Sequence, residues 1–110
     1  MKILIACIRP ERLHRVKAEL FTEGIYAMTA TPVLGSGRQK GYTEMYRGVT
    51  TQVTLLKKVR LELCLADDEV PKAMRAIMRG AKTGHEGDGI IYVLDAVQGI
   101  RIRTEEPLDM

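Results

Sequence analysis

Three short segments of the chain concentrate glycine with positive charge: Gly35-Ser36-Gly37-Arg38-Gln39-Lys40-Gly41, Thr83-Gly84-His85-Glu86-Gly87-Asp88-Gly89 and Arg101-Ile102-Arg103-Thr104, and Lys58 lies between the first two. Glycine lets backbone N–H groups approach an anion closely, and arginine or lysine neutralises it as a fork or a point charge. Any one segment taken alone reads as a tight turn or a solvated edge. Three of them at the ends of neighbouring strands in a small protein read as anion chemistry. Nucleophilic catalysis finds little support, because Ser36 is the single serine and the two histidines, His14 and His85, fall on an outer helix face and in a glycine-rich turn. A Ser36–His85 pair has no evident orienting partner. Asp67-Asp68 reads as a helix start, where acids accept backbone N–H groups and suit the dipole. The chain is not expected to be an enzyme.

At 110 residues the chain has room for one core, residues 1–110, and not for two. With 45% hydrophobic and 28% charged residues it is globular in composition, and no apolar run approaches the ~20 residues that cross a bilayer. The start, "MKILIACIRP", has a short apolar run and no small-residue cleavage chemistry, so the cytoplasm is the expected compartment. Cys7 and Cys64, each in an apolar strand-like run without C-x-x-C or histidine spacing, are expected to be buried, reduced thiols. The net charge of +3 permits nucleic-acid binding, but one Phe and no Trp leave no stacking platform for it. No direct nucleic-acid role and no membrane embedding are expected.

The elements that must hold these segments follow from periodicity. "KILIACI" reads as a strand. Leu13, Val16, Leu20 and Phe21 recur at helical spacing over about 11–23, and Gly24 supplies the left-handed terminator. "IYAMTATPV" reads as a strand that Pro32 confines to an edge or a bulge. Val59, Leu61, Leu63 and Leu65 alternate with Lys58, Arg60, Glu62 and Cys64, the period-two mark of a strand with one apolar face. A second helix follows with Val70, Met74, Ile77, Met78 and Ala81 on one stripe, ending at Gly80 or Gly84. "IIYVLDAV" is a strand, and "GIRIRT" a short last one. The order is βαββαβ: an α+β, ferredoxin-like sandwich with two helices on one face of a four-stranded antiparallel sheet. "IIYVLDAV" is apolar at almost every position, so its second side needs cover that a single helix layer cannot give, and another copy of the chain is the simplest cover.

The segments "GRQKGYTEMYRG" at 37–48, "TGHEGDG" at 83–89 and "IRIRT" at 100–104 resemble signature segments of the PII signal-transduction (nitrogen regulatory) family, and the resemblance runs from the first strand through Thr104. It implies a non-enzymatic homotrimer that binds ATP or ADP in clefts between subunits and, with ATP and magnesium, 2-oxoglutarate. The long polar segment of about 36–53 corresponds to that family's T-loop, which bound effectors reset and which docks on an ammonium channel, a metabolic enzyme or a regulator. Residue by residue, the resemblance places Gly37, Arg38, Gln39, Gly87, Asp88 and Gly89 around the phosphates, with Thr29 and Cys64 near the adenine. It has Arg101 and Arg103 reach phosphates from the next subunit. Gln39 would offer its side-chain oxygen to magnesium. Lys58 would pair with a carboxylate of 2-oxoglutarate, helped by Gln39 and the backbone of Gly41 and Gly87.

Departures from the family pattern narrow this. Ile90 stands where a lysine usually follows "GDG", Ser36 where an aromatic usually separates the first glycines, and Thr51 where many members carry a nucleotidylylated tyrosine; Val49 takes a seryl phosphorylation position. Two regulatory readings therefore stay open, a nitrogen-linked regulator and a divergent sensor of adenylates or another small anion for a transporter, carbon-uptake or microcompartment pathway. A small phosphate-handling enzyme is the remote third. With few apolar anchors between Ser36 and Gln52, the arm is expected to hold no single shape on its own.

Overall fold

A computed structural model of the chain describes residues 1–36, 43–46, 49–52 and 55–108. Its order is β1 (Lys2–Ile8), α1 (Leu13–Thr22), β2 (Thr29–Gly35), β3 (Thr43–Tyr46), β4 (Val49–Gln52), β5 (Leu56–Leu65), α2 (Val70–Ala81) and β6 (Ile90–Asp95). The main sheet runs β2-β5-β1-β6 and is antiparallel throughout. This is the expected ferredoxin-like sandwich, and it places β2, the strand that carries Pro32, at an edge, where proline is tolerated.

Register decides which residues make the core. Leu4 stands between Leu63 and Val93, and Ala6 between Leu61 and Ile91, so these alternate positions face the helices together. Leu4, Ala6, Ile8, Leu61, Leu63 and Leu65 are buried there against Val16, Leu20 and Ile77. The intervening residues make the open face. Ile3, Ile5 and Cys7 of β1 run beside Ile90, Tyr92 and Leu94 of β6, while Arg60, Glu62 and Cys64 of β5 run beside Thr29 and Thr31 of β2. Half of that face is apolar and half polar. Within one chain, therefore, β6 is covered on one side only: Ile91 and Val93 pack on the core, whereas Ile90, Tyr92 and Leu94 are exposed.

Helix α1 ends as its sequence dictates. Gly24 adopts φ +76°, its N–H bonds to the Phe21 carbonyl and that of Ile25 to the Leu20 carbonyl, each at 3.0 Å, which closes the helix with a left-handed turn. Helix α2 differs from the expected end. Gly80 is buried inside it, and a Cβ there would lie 2.6 Å from the Val16 Cα, so this glycine serves the crossing of the two helices and not a cap. The stripe that packs is accordingly small, Ala73, Ala76, Ile77, Gly80 and Ala81. Met78, expected on it, is 49% exposed, and Phe21 of α1 lies outside the core as well. Arg12 secures the end of α2 by donating from Nε to the Gly80 carbonyl at 2.8 Å. At its start Glu69, not the aspartates, accepts the backbone N–H of Ala66, at 3.0 Å.

Three further expectations are corrected. The segment 100–104 is a turn and not a strand: Ile100 and Pro107 form an isolated bridge, Glu105 donates its N–H to the Arg101 carbonyl at 2.8 Å, and Arg101 to that of Glu106 at 2.8 Å. Among the described residues its alternating pattern has no neighbouring strand to pair with. The thiols are free but not buried, since both lie on the open face, Cys64 exposed and Cys7 half-buried. Within the arm, β3 pairs antiparallel with β4, Thr43 opposite Gln52 and Tyr46 opposite Val49, where the sequence reading assigned no strand. Tyr46, Val49, Thr50 and Thr51 are the strand-forming residue types that could have signalled it. Among the described residues no helix is long and apolar enough to cross a membrane.

Candidate functional site

Among the described residues, the candidate site residues gather in two places at opposite ends of the open face. At the Ile8 end, the loop 83–89 folds around one carboxylate. Asp88 accepts the N–H of Thr83 at 2.8 Å and that of Gly84 at 2.9 Å, takes a short hydrogen bond from the Thr83 hydroxyl, and receives the Arg9 Nε at 3.2 Å. Arg9 also donates to the Glu86 carbonyl. Asp88, assigned to the phosphate surround, thus spends its oxygens on the loop itself. These donors, the Thr83 hydroxyl foremost, hold its carboxyl far below the ordinary carboxylate range. Because that value is depressed, Asp88 stabilises the fold fully above about pH 4, where the unfolded carboxylate is ionised, and the contribution fades as pH falls below it. Asp88→Asn should lower stability at pH 7 and flatten its decline between about pH 4 and 2, which thermal unfolding over that range will show.

Lys58 reaches the same loop from β5, its ammonium donating to the Gly87 carbonyl at 2.6 Å. Lys58 and Gly87, paired in the sequence reading, are therefore neighbours, and a lysine has two further donors for a ligand. Gly87 adopts φ +97° and Gly89 φ +104°, and a Cβ on Gly89 would stand 1.7 Å from the Cys7 carbonyl oxygen. Ile90 follows as the first residue of β6 and is 63% exposed. The residues at this end that sequence reasoning missed are Arg9 and Thr83. Arg9 lies 79 positions from Asp88, and a pairing at that separation leaves no periodic or local signal.

At the Lys2 end, Thr29, Cys64 and Arg101 line one open groove of about 660 Å³, with Ile3, Tyr26 and Glu62 among its other walls. Thr29 is on the edge strand opposite Glu62, and Cys64 stands opposite Ile3. Arg103 is exposed on the following turn, where it lines a second depression that shares Arg101 and Leu108 with the groove. Arg60 and Glu62 form a half-exposed ion pair at 3.3 Å between the two ends, an arrangement that contributes little stability in water.

Within one chain Arg101 and Arg103 are not brought to the 83–89 loop. From Ile3 in the groove to Cys7 beneath Gly89 is about 13 Å of strand at ~3.3 Å per residue. Gly37, Arg38, Gln39 and Gly41 lie outside the described residues. Among the described residues no three His, Cys, Asp or Glu side chains converge as a metal site, and His14 and His85 are exposed as expected.

The chain matches the family described as Nitrogen regulatory protein P-II over residues 1–106. It is 47% identical over 106 residues to the Nitrogen regulatory protein P-II of Pasteurella multocida, covering 96% of this chain and 95% of that one. It is 45% identical over 106 residues to the protein of the same name from Rhizobium etli, with the same coverage. Against Nitrogen regulatory protein P-II 1 of Escherichia coli K12 it is 47% identical over 109 residues, 99% of this chain and 97% of the relative. These relatives are named as regulators and carry the likeness along nearly their whole length: the chain is a member of the P-II family of nitrogen regulatory proteins.

Proposed function

We propose that this protein is a non-enzymatic, cytoplasmic signalling trimer that binds ATP or ADP in clefts between subunits and acts on a nitrogen-linked target through its T-loop. The observation that carries the reading is the division of its cationic residues between two ends of one open sheet face. A polyphosphate held by the Gly87–Gly89 loop of one chain, beside Lys58, meets Arg101 and Arg103 only if a second copy supplies them. The exposed apolar strip of Ile90, Tyr92 and Leu94 gives that copy a surface to bury. Adenine then lies by Thr29 and Cys64, and the phosphates by Gly87 and Gly89. With magnesium on Gln39 and the phosphate oxygens, 2-oxoglutarate would be held by Lys58, Gln39 and the backbone of Gly41 and Gly87.

Light scattering should give three times the chain mass without ligand, and a stable monomer at micromolar concentration would overturn the shared cleft. Titration calorimetry with ATP, ADP and AMP, each with and without magnesium and 2-oxoglutarate, tests the ligands. A protein whose 2-oxoglutarate binding requires ATP and magnesium fits the nitrogen reading. Adenylate binding without it favours the second reading, a sensor for a transporter, carbon-uptake or microcompartment pathway, which Ile90 in place of a phosphate-site lysine supports. Steady hydrolysis of ATP at a catalytic rate would restore the enzyme reading. With Thr51 where many members carry the nucleotidylylated tyrosine, signalling should run on bound effectors alone, and intact-mass spectrometry of protein from its native host should find no stoichiometric nucleotidyl adduct.

A further inference from the structure

The groove at the Lys2 end has one large aromatic wall for which the phosphate chemistry has no use. Tyr26 lines it and is 69% exposed. Phe21 lies beside its ring, with ring centroids 5.4 Å apart and planes tilted by 57°. Both rings hang on the turn that closes α1, in which Gly24 and Ile25 bond back to the carbonyls of Phe21 and Leu20, so the backbone between them is fixed. The groove's other walls are mixed, with Met28 and Cys64 apolar and Thr29, Glu62 and Arg101 polar. A volume of about 660 Å³ is within the ~300–1,000 Å³ of small-molecule sites. A flat heteroaromatic group suits such a site better than a phosphate does, since it can use a ring face on one side and hydrogen-bonding groups at its edge.

We propose that Tyr26 is an aromatic platform for the purine base of the bound nucleotide, braced by Phe21 at its back. The proposal rests on the nucleotide reading given above and adds to it a residue that sets preference for the base. Stacking depends on ring area and not on phosphate number. Removing the platform therefore weakens every adenine compound by one common factor.

The test uses the full-length protein and calorimetry with ADP, AMP and adenosine. Tyr26→Ala should weaken all three by the same factor, on the order of 5- to 100-fold. Tyr26→Phe should bind like the parent protein, because the ring and not the hydroxyl carries the contact. Tyr26→Leu, which keeps apolar bulk against Phe21, should behave like Tyr26→Ala and covers the case in which alanine disturbs the fold. Affinities unchanged in both the Ala and the Leu variants would overturn the platform alone. So would a loss that grows with the number of phosphates, or one that Phe does not rescue. A parent protein with no affinity for any adenine compound would overturn the nucleotide reading and the platform with it.

Discussion

Gly89→Ala should unmake the 83–89 loop and abolish anion binding at that end of the sheet. Two costs coincide at this residue. Its φ of +104° is a conformation that L side chains rarely adopt, which costs about 1–3 kcal/mol. The added Cβ would also stand 1.7 Å from the Cys7 carbonyl oxygen, and relieving that contact means moving β1 or the loop, typically about another 1–3 kcal/mol. All three nearest atoms are backbone of β1, at Cys7 and Ile8, so no side chain can swing clear. Set against a domain stability of roughly 5–15 kcal/mol, the sum should lower the midpoint of thermal unfolding by on the order of 10 °C or more. Gly84→Ala is the control, since Gly84 has φ +88° but open space around its Cβ position and should suffer the conformational cost alone. Equal midpoints for the two variants would refute the steric part of the argument. Calorimetry with ATP should find the Gly89 variant inactive even at temperatures where it remains folded, because the Lys58–Gly87 contact and the Gly87–Gly89 backbone shift with it.

Ile90→Lys should tighten ATP selectively. Ile90 is the first residue after the loop and is largely exposed, so a lysine there can extend beside the proposed phosphate site without displacing core. A well-formed charge-assisted contact contributes about 1.5–3 kcal/mol, which is roughly 10- to 150-fold in affinity. The phosphate farthest from the base gains most, so the effect should fall from ATP to ADP to AMP. If 2-oxoglutarate binds through the magnesium that ATP carries, its apparent affinity rises with ATP occupancy. The competing outcome is that Arg38, Arg101 and Arg103 already neutralise the phosphates and Ile90 only packs against its neighbours in a small apolar cavity that includes Cys7, Met78 and Lys82. Equal gains for ATP and AMP, or none, would establish that outcome.

The elements were legible where one face of a strand or helix is buried and the other is not. The alternation of Val59 to Leu65 placed β5, and Gly24 after Leu20 and Phe21 placed the end of α1, because each pattern has a purely local cause. What failed was decided by distant partners. Gly80 looked like a terminator in sequence but answers to Val16 on the other helix. "IRIRT" alternates like a strand, yet it closes on Pro107, and among the described residues it joins no sheet edge. Cys64 looked buried among leucines, whereas the period of two turns it outward. In the site, sequence named Lys58 and Gly87, which the fold joins, and Thr29, Cys64 and Arg101, which line one groove. It missed Arg9 and Tyr26, whose roles depend on what the loop and the groove bring beside them.

The contact between Gly80 and Val16 also limits how the molecule can move. A helix pair that meets backbone to backbone has one seat: sliding α2 by a turn, about 5.4 Å, would replace the glycine with a residue carrying a Cβ and wedge the helices apart. Arg12, bonded across to the last turn of α2, closes the same path. The helix layer is therefore a chassis and not a lever. Any response to a bound effector must be a hinge-like change at the strand ends and the loops they carry, with the two helices travelling as one piece.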